Sequence, residues 1–122
     1  HCGSAGLFST LDDLLKYSHA LLETNLGGIL TDRTVSLMFH DQTPLTGDHN
    51  RGLGWKLLHA HTADHHSIIS HTGFTGTWLI LDRQDDQGMI VLSNRVHPST
   101  NNDDYLNYRG LIMATYLDEK NR

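Results

Sequence analysis

With a single cysteine, Cys2, the 122-residue chain can close no internal disulfide, and one thiol carries no information about redox compartment. No uninterrupted apolar run approaches the ~20 residues that a membrane-spanning helix needs. The first residues also lack the charged, apolar and small-residue succession of a signal peptide, so no part of the chain is expected to insert into a bilayer. Basic charge is scarce: nine Lys and Arg stand against fourteen Asp and Glu, for a formal net charge of -5. These cations form no run along the sequence. The electrostatic footprint that a phosphate backbone demands is therefore missing, and nucleic acid is not an expected partner. What remains is an ordinary globular composition, 38% hydrophobic and 19% charged. It suits one compact domain and is too short for two. The chain opens on His1 rather than Met, inside a Gly-Ser-Ala-Gly stretch, and is read as a piece of a longer protein.

Hydrophobic periodicity divides the chain into three stretches. In residues 1–51, Ser9 or Thr10 can cap a helix whose first turn carries Asp12 and Asp13 at the positive end of the dipole. Leu11, Leu14, Leu15, Ser18, Leu21 and Leu22 then recur at helical spacing until Asn25 and Gly27-Gly28, which predicts a helix over 11–24 with a leucine face toward the core. A shorter helix is expected from a Thr31 cap through Met38, followed by a polar loop over 41–51. In residues 52–97 the pattern changes to short runs of β-branched and aromatic residues broken by Gly, Asp and Asn, with strands expected over 53–60, 66–72, 77–83 and 88–94. Gln84 to Gly88 reads as a hairpin turn, with Gly88 able to take a positive φ. The flanking runs are almost continuously apolar, which implies a sheet covered by helices on both faces. Residues 98–122 give a connector, a cap at Asn102 or Asp103, and a last helix through Tyr105, Tyr108, Ile112 and Tyr116. The fold class expected is α+β, an antiparallel sheet flanked by helices.

Chemistry concentrates in Ser70-His71-Thr72-Gly73-Phe74-Thr75-Gly76-Thr77, between two expected strands. Two glycines three apart at a strand boundary imply that something approaches the backbone closely, because only glycine leaves that space. Taken alone, the stretch reads as a Gly-rich strand connection.

Four blocks in order carry a resemblance. Gly3 to Thr10 with Asp12-Asp13-Leu14, Gly52-Leu53-Gly54-Trp55, His71 to Thr77, and Leu92-Ser93-Asn94-Arg95-Val96-His97-Pro98 are similar to G-x-A-G-L-F-S-T-x-x-D-L, G-L-G-W, H-T-G-F-T-G-T and L-x-N-R-V-H-P of β-lactamase-related serine hydrolases. The resemblance implies the C-terminal portion of a β-lactamase and penicillin-binding-protein fold. It also implies hydrolysis of a small-molecule or peptide substrate through a seryl acyl-enzyme, with no cofactor. His71 would face the cleft as a hydrogen-bond donor or proton relay, and Thr72, with Thr75 beside it, would orient the substrate. Gly73 would let the acyl group lie against the strand, and the Phe74 N–H would form half of an oxyanion hole. A preorganised amide of that kind lowers an acyl-transfer barrier by ~3 to 4 kcal/mol. His71 stands where many relatives carry Lys. A near-neutral imidazole suits an ester, amide or peptide better than a substrate anchored by its carboxylate. The nucleophile motif S-x-x-K is absent, since no Ser has a Lys three residues later, and Y-x-N is matched only by Tyr105-Leu106-Asn107, read as helix surface. The chain alone is expected to be inactive. Asn94 and Arg95 are expected to brace the sheet end rather than touch substrate.

Rival readings carry less. Among ten histidines, His59, His61, His65 and His66 with Asp64 could chelate zinc, but no H-E-x-x-H or Cys pair supports a native metal. Cys2 could act as a thiol nucleophile, yet a terminal dipeptide offers no orientation. Trp55 and Trp78 are read as core. A different class of function is a non-catalytic binding module: in relatives further strands pair beside the last one, so Met89 to Leu92 would form an open apolar edge that recruits a second copy or the complementary part of the protein.

Overall fold

The computed structural model describes residues 3–43, 45, 50–58 and 68–120. Three helices and five strands follow in the order α1 (Leu11–Thr24), α2 (Asp32–Phe39), β1 (Arg51–Gly52), β2 (Trp55–Leu57), β3 (Ile68–Thr72), β4 (Trp78–Asp82), β5 (Gln87–Val91) and α3 (Asp103–Lys120). The strands form one antiparallel sheet in sequence order. An α+β architecture is thus present as expected.

Local chemistry fixes both early helices. Thr10 caps α1 by accepting from the Asp13 amide at 3.2 Å, and Asn25 closes it in the left-handed conformation at φ 54°. Thr31 caps α2 in the same way through the Thr34 amide at 3.1 Å. The leucine face of α1 is buried only in part. Leu21 is fully enclosed, whereas Leu11 and Leu15 are about half exposed, at 45% and 50%.

Alternation along the strands feeds two cores. Leu57, Ile69 and Leu81 face α1 and α2 and meet Leu21, Val35 and Phe39. Ile68, Trp78 and Ile80 face the other way and meet Tyr105, Met113, Tyr116 and Leu117 of α3. Helices therefore cover both sides, and each enclosed Leu, Ile or Phe adds about 1.5–3 kcal/mol of burial free energy. Trp78 is core as expected, and Trp55 packs at the margin of the α1/α2 side.

Two boundaries differ from the sequence reading. The strand expected over 53–60 is a tight hairpin, with Gly52 paired to Trp55 and Gly54 at φ 77° in the turn, so the chain reverses where a single strand was expected. In the β4–β5 turn, Asp86 rather than Gly88 takes the positive φ, at 56°, while Gly88 is a strand residue paired with Leu81. A short polar side chain tolerates the left-handed region, so the glycine is free to sit in the ladder.

The last helix lies on the sheet through Tyr105, Met113, Tyr116 and Leu117, whereas Tyr108 and Ile112, expected on the same face, are exposed. Asn102 caps it through the Tyr105 amide at 3.3 Å. Lys120 ends it with ion pairs to Asp82 at 2.5 Å and Asp85 at 2.7 Å. Asp82 is 1% exposed and also accepts from the Gln84 amide at 2.9 Å, so one carboxylate joins the hairpin turn to the helix end.

Candidate active site

β3 delivers His71 and Thr72 to its end, where Thr72 pairs with Trp78 and His71 with Leu79 of β4. Beyond them the chain folds into a tight turn closed by Gly73 N–H to Thr77 O at 2.6 Å and Gly76 N–H to Gly73 O at 3.1 Å. Both glycines are required by the chain itself. A Cβ on Gly73 would lie 2.9 Å from the Thr77 carbonyl oxygen; on Gly76, which sits at φ 124°, it would lie 2.6 Å from the Ser93 carbonyl oxygen. The close approach signalled by the glycine spacing is thus made by the protein's own backbone.

The segment leaving β5 grips this turn from one side. The Arg95 guanidinium donates through Nε to Phe74 O at 2.6 Å and lies 4.6 Å from the centre of the Phe74 ring. The Arg95 amide bonds Thr75 O at 3.0 Å. Ser93 Oγ donates to Gly76 O at 2.7 Å, and the Tyr105 hydroxyl donates to the same carbonyl from α3. Every carbonyl from Gly73 to Gly76 therefore accepts a hydrogen bond. Among the described residues none accepts from the Phe74 N–H.

Two sequence expectations meet their outcome here. Asn94 and Arg95 brace the sheet end: Asn94 Oδ1 accepts from the Val96 and His97 amides at 3.0 and 3.1 Å, and Arg95 holds the turn. Tyr105 is not helix surface, because its hydroxyl reaches Gly76 and Ser93; Leu106 and Asn107 are exposed. Helical spacing alone points Tyr105 toward the sheet. The partner at its hydroxyl is visible only after folding.

The expected site residues border two different openings. Gly73, Phe74 and Thr75 line a cleft of about 750 Å³ with residues 3–8, the Gly-Ser-Ala-Gly-Leu-Phe block. The Phe74 ring stands 69% exposed at its edge. His71 and Thr72 border a smaller cavity of about 190 Å³ toward α3. The His71 ring meets Trp55 edge-on, with centroids 6.2 Å apart and planes at 86°.

No group of three or more His, Cys, Asp or Glu that could hold a metal occurs among the described residues. His59, His61, Asp64, His65 and His66 lie outside them, as do His1 and Cys2. No described helix is long and apolar enough to cross a membrane.

The order of blocks along the chain, the antiparallel sheet and its glycine turn belong together as one family region. The family model described as Beta-lactamase matches residues 1–111, and the chain belongs to that family. Neither a curated protein nor a solved structure matches it.

Proposed function

We propose that this chain forms one wall of the active site of a serine hydrolase that cleaves an ester, amide or peptide through an acyl-enzyme. The observation that carries the proposal is the Phe74 N–H, unbonded among the described residues, in a turn whose carbonyls are all held from behind. A seryl hydroxyl on polypeptide outside this chain attacks the substrate carbonyl as a base takes its proton. The C–O⁻ of the tetrahedral intermediate accepts from Phe74 N–H and from the amide of the nucleophile. The leaving alcohol or amine departs with a proton, and water then attacks the ester to free the acid and restore the hydroxyl.

In this scheme His71 acts as donor or proton relay, Thr72 and Thr75 orient the substrate, and Gly73, whose missing Cβ the Thr77 carbonyl requires, holds the turn against which the acyl group lies. The absence of S-x-x-K makes this chain inactive by itself. A fluorophosphonate probe tests the reading, since only an activated serine labels. The isolated chain stays unlabelled, and labelling appears when polypeptide bearing the nucleophile is restored; labelling of the isolated chain would overturn the proposal.

A second reading, a non-catalytic assembly module, is favoured by one observation. β5 pairs only with β4, which leaves its outer edge without a described strand partner.

A further inference from the structure

On the α3 side of the sheet, strand register lines up one row of residues. Arg51 pairs with Lys56, Lys56 with Ser70, and Ser70 with Ile80. Arg51 and Lys56 are thus like charges directly opposite each other on neighbouring strands, an arrangement that destabilises a sheet. Arg109 arrives from α3 as a third cation, and all three line the cavity of about 190 Å³ that reaches Ser70 and Thr72, with Met113 as its apolar wall.

This concentration runs against the rest of the molecule. Three of its nine Lys and Arg meet in one small cavity of a chain whose net charge is -5. None of the three has a carboxylate partner among the described residues. Ser70 supplies an independent sign. It is 1% exposed, and its Oγ is the only buried side-chain N or O among the described residues without a hydrogen-bond partner. Buried hydroxyls are almost always satisfied, and an orphan calls for a missing partner. A second hydroxyl, Thr72, borders the same space.

We propose that this cavity is a binding site for a dianionic phosphoryl group; it shares no lining residue with the cleft beside Phe74, although His71 and Thr72, given roles in the hydrolase scheme, border it. Cations from three elements, β1, β2 and α3, border the cavity, which gives a tetrahedral anion more than one charged partner. The guanidinium planes supply paired donors, Lys56 a point charge, and the Ser70 hydroxyl the proton at the cavity floor. The volume equals several waters at about 30 Å³ each and accommodates the five heavy atoms of phosphate. An anion there turns the Arg51–Lys56 repulsion into a shared attraction.

Calorimetric titration of the full chain with inorganic phosphate and, separately, glycerol phosphate tests the site at low ionic strength. Saturable binding is expected. The source is decided by which ligand binds more tightly: the ester if the group is carried on a small molecule, the free ion otherwise. Ser70→Ala weakens binding roughly tenfold, the loss expected for one hydrogen bond to a charged acceptor. The same variant stays folded and melts at or above the wild type without phosphate, because an unsatisfied hydroxyl has been removed; phosphate raises its melting temperature less than that of the wild type. Lys56→Met with Arg109→Met abolishes binding. A phosphate affinity no greater than that for chloride means an adventitious ion only and overturns the proposal. So does an unchanged affinity in Ser70→Ala, which would put the anion outside the cavity.

Discussion

Arg95 does two things at once for the turn before β4. Its Nε holds the Phe74 carbonyl at 2.6 Å while its Cζ stands 4.6 Å from the centre of the Phe74 ring, so one guanidinium touches both the peptide and the side chain of one residue. Gly76 allows this arrangement, because any Cβ there would collide with the Ser93 carbonyl. Arg95→Ala should lower stability by about 1–2 kcal/mol, the sum of one hydrogen bond and a partly exposed cation–π contact. Arg95→Lys should recover little of that, since an ammonium has neither the plane nor the fork. The discriminating measurement is amide exchange. Gly73 and Gly76, whose N–H groups close the turn, should exchange faster in both variants, while amides of α1 keep their rates. Equal protection of Gly73 and Gly76 in wild type and variant would show that the turn stands without Arg95.

The helix α3 is tied to the sheet at both ends by polar contacts and in its middle by apolar ones. Tyr105 reaches the glycine turn, Met113 and Tyr116 cover β3 and β4, and Lys120 binds Asp82 and Asp85. Removing the last contact leaves the buried Asp82 carboxylate without a counter-ion. Lys120→Met should therefore cost about 3–5 kcal/mol, read from the denaturant midpoint. The pH dependence has a definite sign. Burial alone would lower the Lys120 pKa, but hydrogen bonds and charge from Asp82 and Asp85 outweigh it and hold the ammonium above its ordinary value. A lysine whose folded pKa is raised stabilises fully below its unfolded value of about 10.4 and loses that contribution as pH climbs through the folded value. Tyr17 and Tyr116, whose pKa values desolvation raises, give both proteins some alkaline loss, and wild type should thus lose stability more steeply than Lys120→Met. Parallel curves for the two proteins would exclude the ion pair as a source of alkaline loss.

At the scale of the whole molecule, the sheet has two unlike margins. β1 is a two-residue strand beside the short β2 hairpin, whereas β5 offers five residues with Met89, Ile90 and Val91 half-buried. Beside β5, Leu15, Leu22 and Ile90 line an open apolar groove of about 410 Å³ between α1 and the sheet. Leu15, half exposed on the leucine face of α1, opens onto that groove. If this margin recruits polypeptide, as the second functional reading holds, the chain should sediment as a dimer or larger. Ile90→Lys, which sets a charge on the edge, should return it to a monomer. A wild-type chain that stays monomeric on dilution and concentration alike removes that reading.

Much of this molecule is written locally. Thr10, Asp12 and Asp13 start α1 and Asn25 ends it within the chain's own neighbourhood, so capping and spacing determine 11–24 with no knowledge of the sheet. Period-two and continuous apolar runs likewise determine β3, β4 and the two-sided cover, and the four sequence blocks determine the family. Tertiary structure decided the rest, because it depends on partners far apart in sequence. Arg95 and Phe74 are 21 residues apart, Tyr105 and Gly76 are 29 apart, and Lys120 and Asp85 are 35 apart. No periodicity encodes such pairs. The same holds for Arg51, Lys56, Ser70 and Arg109: four scattered polar residues become one cavity only when strand register and the seat of α3 place their side chains on a single face.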